Sequence, residues 1–173
     1  MAPPKQLLPD VRFWLRALKA NRGEKLFKGY EEVVRRMTFA TDASGEAVGG
    51  AFGTEYFQRS WTSAERRKIQ HWGNKYEGQA GTEVTIAICE FVGLIMGANI
   101  WFPRLAGEAI IVLVDNQNVE AWVNALWAAT ESPIVANLIR MWWELVERHG
   151  IDVLVRYVGT KENDIPDALS RNQ

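Results

Sequence analysis

The chain has 173 residues, 47% hydrophobic and 24% charged, which fits one core and excludes a disordered tail, a fibrous repeat or a polyelectrolyte. Lys and Arg number 20 against 21 Asp and Glu, a formal charge of −1, so a polyanionic partner must be held by a local basic patch rather than by bulk charge. The single cysteine, Cys89, can form no internal disulfide, and with only His71 and His149 beside it the chain is short of ligands for a structural zinc site. Residues 1–8 contain Pro3, Pro4 and Lys5 but no apolar run of the kind a secretory signal carries, so the expected setting is intracellular.

Asp10 is placed to cap a helix reaching about Asn21, with Val11, Trp14, Leu15 and Leu18 on one face and Gly23 as its stop. Arg12, Arg16 and Lys19 form a basic stripe on another face, read as solvated in preference to phosphate-binding. Lys25, Lys28, Arg35 and Arg36 follow in a connecting segment. From about 36 to 61 the pattern becomes strand-like, in runs 37–42, 47–53 and 56–61 separated by Ser44-Gly45-Glu46 and Thr54-Glu55, which predicts an antiparallel meander. Gly49, Gly50 and Gly53 within it point to a bulge or a close backbone approach. Residues 62–82 are polar, and Ser63 followed by Arg66 and Arg67 predicts a short helix that faces substrate as an insertion.

Residues 84–102 are apolar but for Glu90, and carry Gly93-x-x-x-Gly97, a spacing also used by transmembrane helices. A carboxylate near the centre of a span costs roughly 2.5–3.5 kcal/mol, and Thr85 and Asn99 add polar groups, so a helix buried between a sheet and another helix is the preferred reading. Glu90 then needs a task or a partner. An apolar strand over 109–115 follows, then a helix over 117–128 with Val119, Trp122, Val123 and Leu126 inward. Ser132 as N-cap and Pro133 at the first helical position start another helix, with Ile134, Leu138, Ile139, Trp142 and Leu145 as its buried stripe, ending before Gly150. A strand over 151–158 and a last short helix, capped by Asp164 and carrying Asp167, complete the order. Strands joined by tight turns at first and through helices later predict an α/β domain with a mixed sheet flanked by helices.

Four carboxylates fall at the ends of these elements: Asp42 closes the first strand, Asp115 closes the fourth, Glu90 lies on the intervening helix and Asp167 opens the last. Strand ends and helix starts converge at one edge of such a sheet. Taken singly, Asp42 and Asp167 have an ordinary use as turn or cap residues and Asp115, followed by Asn116, as the start of a helix, so only the joint arrangement carries weight. Oxygen ligands with no His or Cys nearby suit Mg²⁺ or Mn²⁺ rather than zinc, and a pair of such ions suits in-line phosphoryl displacement.

Thr41-Asp42-Ala43-Ser44, Gly49-Gly50-Ala51, Glu90, Val114-Asp115-Asn116 and the run from Asn163 through Asp164, Ile165, Pro166, Asp167, Ala168, Leu169 and Ser170 to Arg171 together resemble the ribonuclease H domain of retroelement reverse transcriptases, of the DIRS-like or LTR type. The resemblance covers about 37–171. It implies a ribonuclease H-like fold over 36–173, with a five-stranded mixed sheet made of a three-strand antiparallel meander and two further strands. It makes 1–35 a helical tether, including Trp14, to a preceding polymerase in cis. It also implies that Asp42, Glu90, Asp115 and Asp167 hold two Mg²⁺, with Mn²⁺ able to substitute, and hydrolyse the RNA strand of an RNA/DNA hybrid to 5'-phosphate and 3'-hydroxyl ends. Glu83 and Asp164 compete for two of these roles; Glu90 is preferred for its apolar helical setting and Asp167 for its place before Leu169-Ser170-Arg171.

Minor-groove contact to 2'-hydroxyls falls to the hairpin over 42–50, with Ser44 and Gly45. Arg66, Arg67, Lys68, Lys75, Lys161 and Arg171 are candidates for phosphate contact, and Asn116 for capping the next helix or orienting a phosphate. Many relatives carry a histidine in the loop before the last acid; 159–163 has none, which removes an aid to product release. Of the 8 tryptophans, Trp101, Trp122, Trp127 and Trp142 sit at helical apolar spacing and are expected in the core, whereas Trp72 and Trp143 are the expected exposed pair. His71 and His149 are not expected to be catalytic. The alternatives are a catalytically silent scaffold with the same fold, like the connection domains of some reverse transcriptases, and a DNA-cutting integrase- or transposase-like nuclease.

Overall fold

A computed structural model of the chain describes residues 37–76, 81–124 and 132–171, with Val11, Arg12, Leu15, Arg16 and Lys19 of the N-terminal segment. The proposed Asp10 cap, Trp14, Leu18, Gly23, the basic residues over 25–36, Leu126 and Trp127 lie outside the described residues. Strands β1 (Thr38–Ala43), β2 (Ala47–Phe52) and β3 (Glu55–Ser60) form the expected meander. The Ser44 hydroxyl oxygen accepts the Glu46 and Ala47 amides at 3.1 and 3.2 Å, closing the first turn. Gly53 closes the second with φ +60°, a conformation that favours glycine.

Helices α1 (Ser63–Tyr76) and α2 (Gly81–Trp101) lead to β4 (Ala109–Val114); α3 (Gln117–Asn124) and α4 (Pro133–His149) lead to β5 (Asp152–Tyr157), and α5 (Asp164–Ser170) ends the fold. The sheet order is β3-β2-β1-β4-β5. β1, β2 and β3 pair antiparallel, while β1–β4 and β4–β5 pair parallel, as expected for helical crossovers. This is a five-stranded mixed sheet flanked by helices.

The apolar stretch with the Gly93 and Gly97 spacing is the core helix. Residues Val84–Arg104 are long and apolar enough to cross a membrane by length and composition, but most of that surface is buried within the fold. Ile88, Phe91, Leu94, Ala98 and Trp101 are almost fully buried. A Cβ at Gly93 would stand 2.6 Å from Val48, and one at Gly97 3.2 Å from Phe39 and Thr41. The small-residue spacing therefore serves close approach of α2 to the sheet. Phe39, Trp101, Phe102 and Trp142 make a chain of tilted and edge-to-face ring contacts through the core.

Three expectations shift. Residues 63–76 form a helix of 14 residues rather than a short one. It is started by a capping box: the Glu65 amide donates to Thr62 Oγ1 and the Glu65 carboxylate accepts from the Thr62 amide. Asn163, not Asp164, immediately precedes α5 and makes no side-chain cap bond there; its buried side-chain amide donates instead to the Thr41 carbonyl at 3.3 Å. Trp72 and Trp143 are half-buried and packed on the core instead of exposed. Val11 and Leu15, which share one helix face in the sequence reading, are 42% and 50% exposed, and Arg16 reaches Glu144 of α4 at 3.1 Å.

Candidate active site

Parallel pairing of β1 with β4 aligns Thr41 with Val114, so the next residues, Asp42 and Asp115, come to the same end of the sheet. α2 packs across β1 and β2 and brings Glu90 to that end. One ligand oxygen from each of Asp42, Glu90 and Asp115 lies within 4.8 Å of the others. Asp42 and Glu90 are each 6% exposed. Glu90 Oε1 accepts from the Asn116 amide at 3.3 Å, while Asn116 Oδ1 accepts the Asn118 amide at 2.9 Å and so caps α3. Asn116 thus ties the start of α3 to the acidic cluster.

Burial and crowding dominate the electrostatics. Glu90 is pushed well above the carboxylate range, first by burial and next by the neighbouring Asp115 charge, with the Asn116 bond opposing. Asp115 is pushed up by burial and then by Asp42. Glu90 Oε2 and Asp115 Oδ1 are buried with no hydrogen-bond partner, and among the described residues no Lys or Arg forms an ion pair with any of the three acids. Buried carboxylate oxygens without donors beside a second and third carboxylate are the donor set of a hard cation. The residues fit a hard divalent cation.

Asp167 stands apart from this trio. Its Oδ1 accepts from Arg171 Nε at 2.8 Å, one helical turn on. The Arg171 guanidinium also feels the charges of Asp42 and Asp115, so the fourth acid sits beside the cluster with its charge already compensated. Of the competing acids, Asp164 is exposed and accepts the Ile165 amide at 2.8 Å, and the Glu83 side chain lies outside the described residues.

The other named residues divide by position. Ser44 is half-buried, and its hydroxyl donates to the Ser170 carbonyl at 2.7 Å; Gly45 is exposed at the hairpin tip. Arg66, Arg67 and Lys68 are exposed on α1, and Lys161 is exposed in the short turn Thr160–Glu162. Two residues given no role from sequence stand next to the site: Asn163, already described, and Ser170, fully buried, whose hydroxyl donates to Asp42 Oδ2. A hydroxyl three residues after Asp167 was the only local signal for the second.

Gly49, paired with Asp42 across the β1–β2 ladder, is a point of close approach between α5 and the sheet. A Cβ there would collide with the Leu169 side chain and lie 3.2 Å from its backbone carbon. Gly49→Ala is expected to displace α5 and to cost about 1–3 kcal/mol, measured by urea unfolding; an unchanged midpoint would mean that α5 yields freely.

No family model and no curated protein matches the sequence. Solved structures do. Ribonuclease H1 from the halophilic archaeon Halobacterium salinarum NRC-1 aligns with a TM-score of 0.58 at 18% identity, over 79% of this chain and 96% of that one. The compost-derived LC11 ribonuclease H1, in complex with an RNA/DNA hybrid, aligns with a TM-score of 0.59 at 10% identity, over 79% and 95%. The N-terminal ribonuclease H domain of a Mycobacterium tuberculosis protein aligns with a TM-score of 0.56 at 14% identity, over 79% and 92%. At these identities the likeness speaks for architecture, and the architecture of this chain is the ribonuclease H fold.

Proposed function

We propose that the protein is a divalent-metal-dependent endonuclease that hydrolyses the RNA strand of RNA/DNA hybrids, as the ribonuclease H part of a reverse-transcription machinery. The observation that carries this reading is the meeting of Asp42, Glu90 and Asp115 within 4.8 Å, with buried oxygens left unpartnered. The hybrid held by the LC11 enzyme supports the choice of substrate, and the sequence motifs support the retroelement setting.

Mg²⁺ in such a site supplies charge neutralisation at the phosphodiester and activation of the attacking water. Asp42, Glu90 and Asp115 would hold it, and Asn116 orients Glu90 through the bond already described. Asp167 is the proposed fourth ligand; Arg171 holds only its Oδ1, which leaves Oδ2 for the ion, and the same guanidinium is a candidate for a substrate phosphate. The test is incubation with hybrid, duplex DNA and single-stranded RNA, with Mg²⁺, Mn²⁺ or chelator. The expected result is metal-dependent loss of the RNA strand of the hybrid. Cutting of duplex DNA alone would favour the integrase-like alternative, and absence of both cleavage and metal binding would favour a silent scaffold.

Substrate grip is assigned to Ser44, Gly45 and the exposed cations. Glu65, the acid of α1 nearest them, is occupied by Thr62 and by Arg59 at 2.8 Å, and is held down to about 2 by those bonds. Arg66, Arg67 and Lys68 have no ion-pair partner among the described residues. Replacing all three by glutamine is expected to weaken hybrid binding and to flatten the salt dependence by up to about three phosphate equivalents, near 0.9 per contact. Fluorescence anisotropy across salt concentrations measures this, and an unchanged slope would return α1 to plain solvation.

A further inference from the structure

Ser170 belongs to a set of contacts that pins the C-terminal end of α5 to the strand carrying Asp42. Its carbonyl accepts from Ser44 at 2.7 Å, and the preceding Leu169 carbonyl accepts from Gln58 on β3 at 2.7 Å. Leu169 seats against Gly49 of β2. The end of α5 is therefore attached to the first turn, to β2 and to β3 at once. Ser170 Oγ, with 0% of the residue exposed, lies 2.9 Å from the Asp167 carbonyl and also donates to Asp42 Oδ2.

A serine in a helix ordinarily gives its one proton to a carbonyl three or four residues back. Here a buried carboxylate competes for that proton, and a charged acceptor makes the stronger bond. With one oxygen tied by a donor that cannot drift, the Asp42 carboxyl group loses its freedom to rotate about χ2.

We propose that Ser170 is the positioning residue of Asp42, holding its carboxylate in the orientation from which it faces Glu90 and Asp115. This rests on the metal-site reading above and extends it to a residue that need not touch the ion. α5 then serves the site twice, by orienting one acid through Ser170 and by carrying Asp167. Partners of this kind around metal sites typically change affinity by about 10- to 100-fold when removed.

The experiment is a Mg²⁺ titration of the full chain followed by melting temperature, for wild type, Ser170→Ala, the near-isosteric Ser170→Cys, and Ser170→Thr, which keeps the hydroxyl. The expected result is a Mg²⁺ midpoint raised about 10-fold in the alanine and cysteine variants and restored toward wild type by threonine. A merely structural serine would lower the metal-free melting temperature and leave the midpoint where it was, and that result overturns the proposal. If alanine unfolds the chain, cysteine carries the comparison, and a cysteine variant with the wild-type midpoint overturns it equally. A wild-type chain whose melting temperature ignores Mg²⁺ overturns the metal site itself, an outcome distinct from wild-type-like titration by the variants.

Discussion

Glu90→Gln is expected to raise the stability of the metal-free protein while removing its response to Mg²⁺. Glu90 is 6% exposed and one of its oxygens has no donor. The Asn116 bond to its other oxygen at 3.3 Å survives in an amide, because the glutamine carbonyl still accepts. What the substitution deletes is an ionisable acid crowded by Asp115 and Asp42, whose burial costs on the order of 1–3 kcal/mol, or about 5 °C in a domain of this size. The sign with pH follows from the same crowding. Burial and then the neighbouring acid raise the folded-state values of both Glu90 and Asp115. Their stabilising contribution is therefore complete below the ordinary carboxylate range, near 4, and is lost as pH rises through the raised folded-state values. The metal-free wild type should soften from about pH 4 into the alkaline range, and Glu90→Gln should soften less. Thermal melts in chelator across that range measure both. A variant less stable than wild type at pH 8 would mean that the Glu90 charge is compensated by something else.

Asp115→Asn is expected to lower metal-dependent cutting of a hybrid by about 10³-fold or more, equivalent to roughly 4 kcal/mol of lost transition-state stabilisation, with the fold unchanged. Asp115 directly follows β4, and its buried Oδ1 has no hydrogen-bond partner, so the near-isosteric amide leaves the packing of that strand end in place. It does remove one anionic ligand from a group of three whose oxygens lie within 4.8 Å. Single-turnover cleavage alongside circular dichroism separates the two effects. Rates within a few-fold of wild type would take Asp115 out of the chemistry.

The three acids that meet were all identifiable from sequence, because each closes or interrupts a strongly apolar element and the strand order then places them at one end of the sheet. The meander was legible for similar reasons: strand-like runs and the turn residues between them are local properties. What escaped was long-range. The Ser170 bond to Asp42 spans 128 positions, and no periodicity reports it. The start of α5 falls after Asn163, whose side-chain amide donates to the Thr41 carbonyl 122 positions away, a contact the local propensity of Asp164 could not report. Trp72 and Trp143 look exposed on polar stretches until the helices beside them are placed. The pairing of Asp167 with Arg171 is different: four residues apart on a helix, it was available to a local rule and bears directly on whether the fourth acid is free.

The most direct test of the account is calorimetric titration of the full chain with Mg²⁺ at about pH 7.5, for wild type, Asp42→Asn, Glu90→Gln and Asp115→Asn. Saturable uptake in wild type that is lost in each variant is the predicted result. A wild type that takes up no ion, or three variants that bind as it does, would contradict the claim that these carboxylates are gathered to hold a cation.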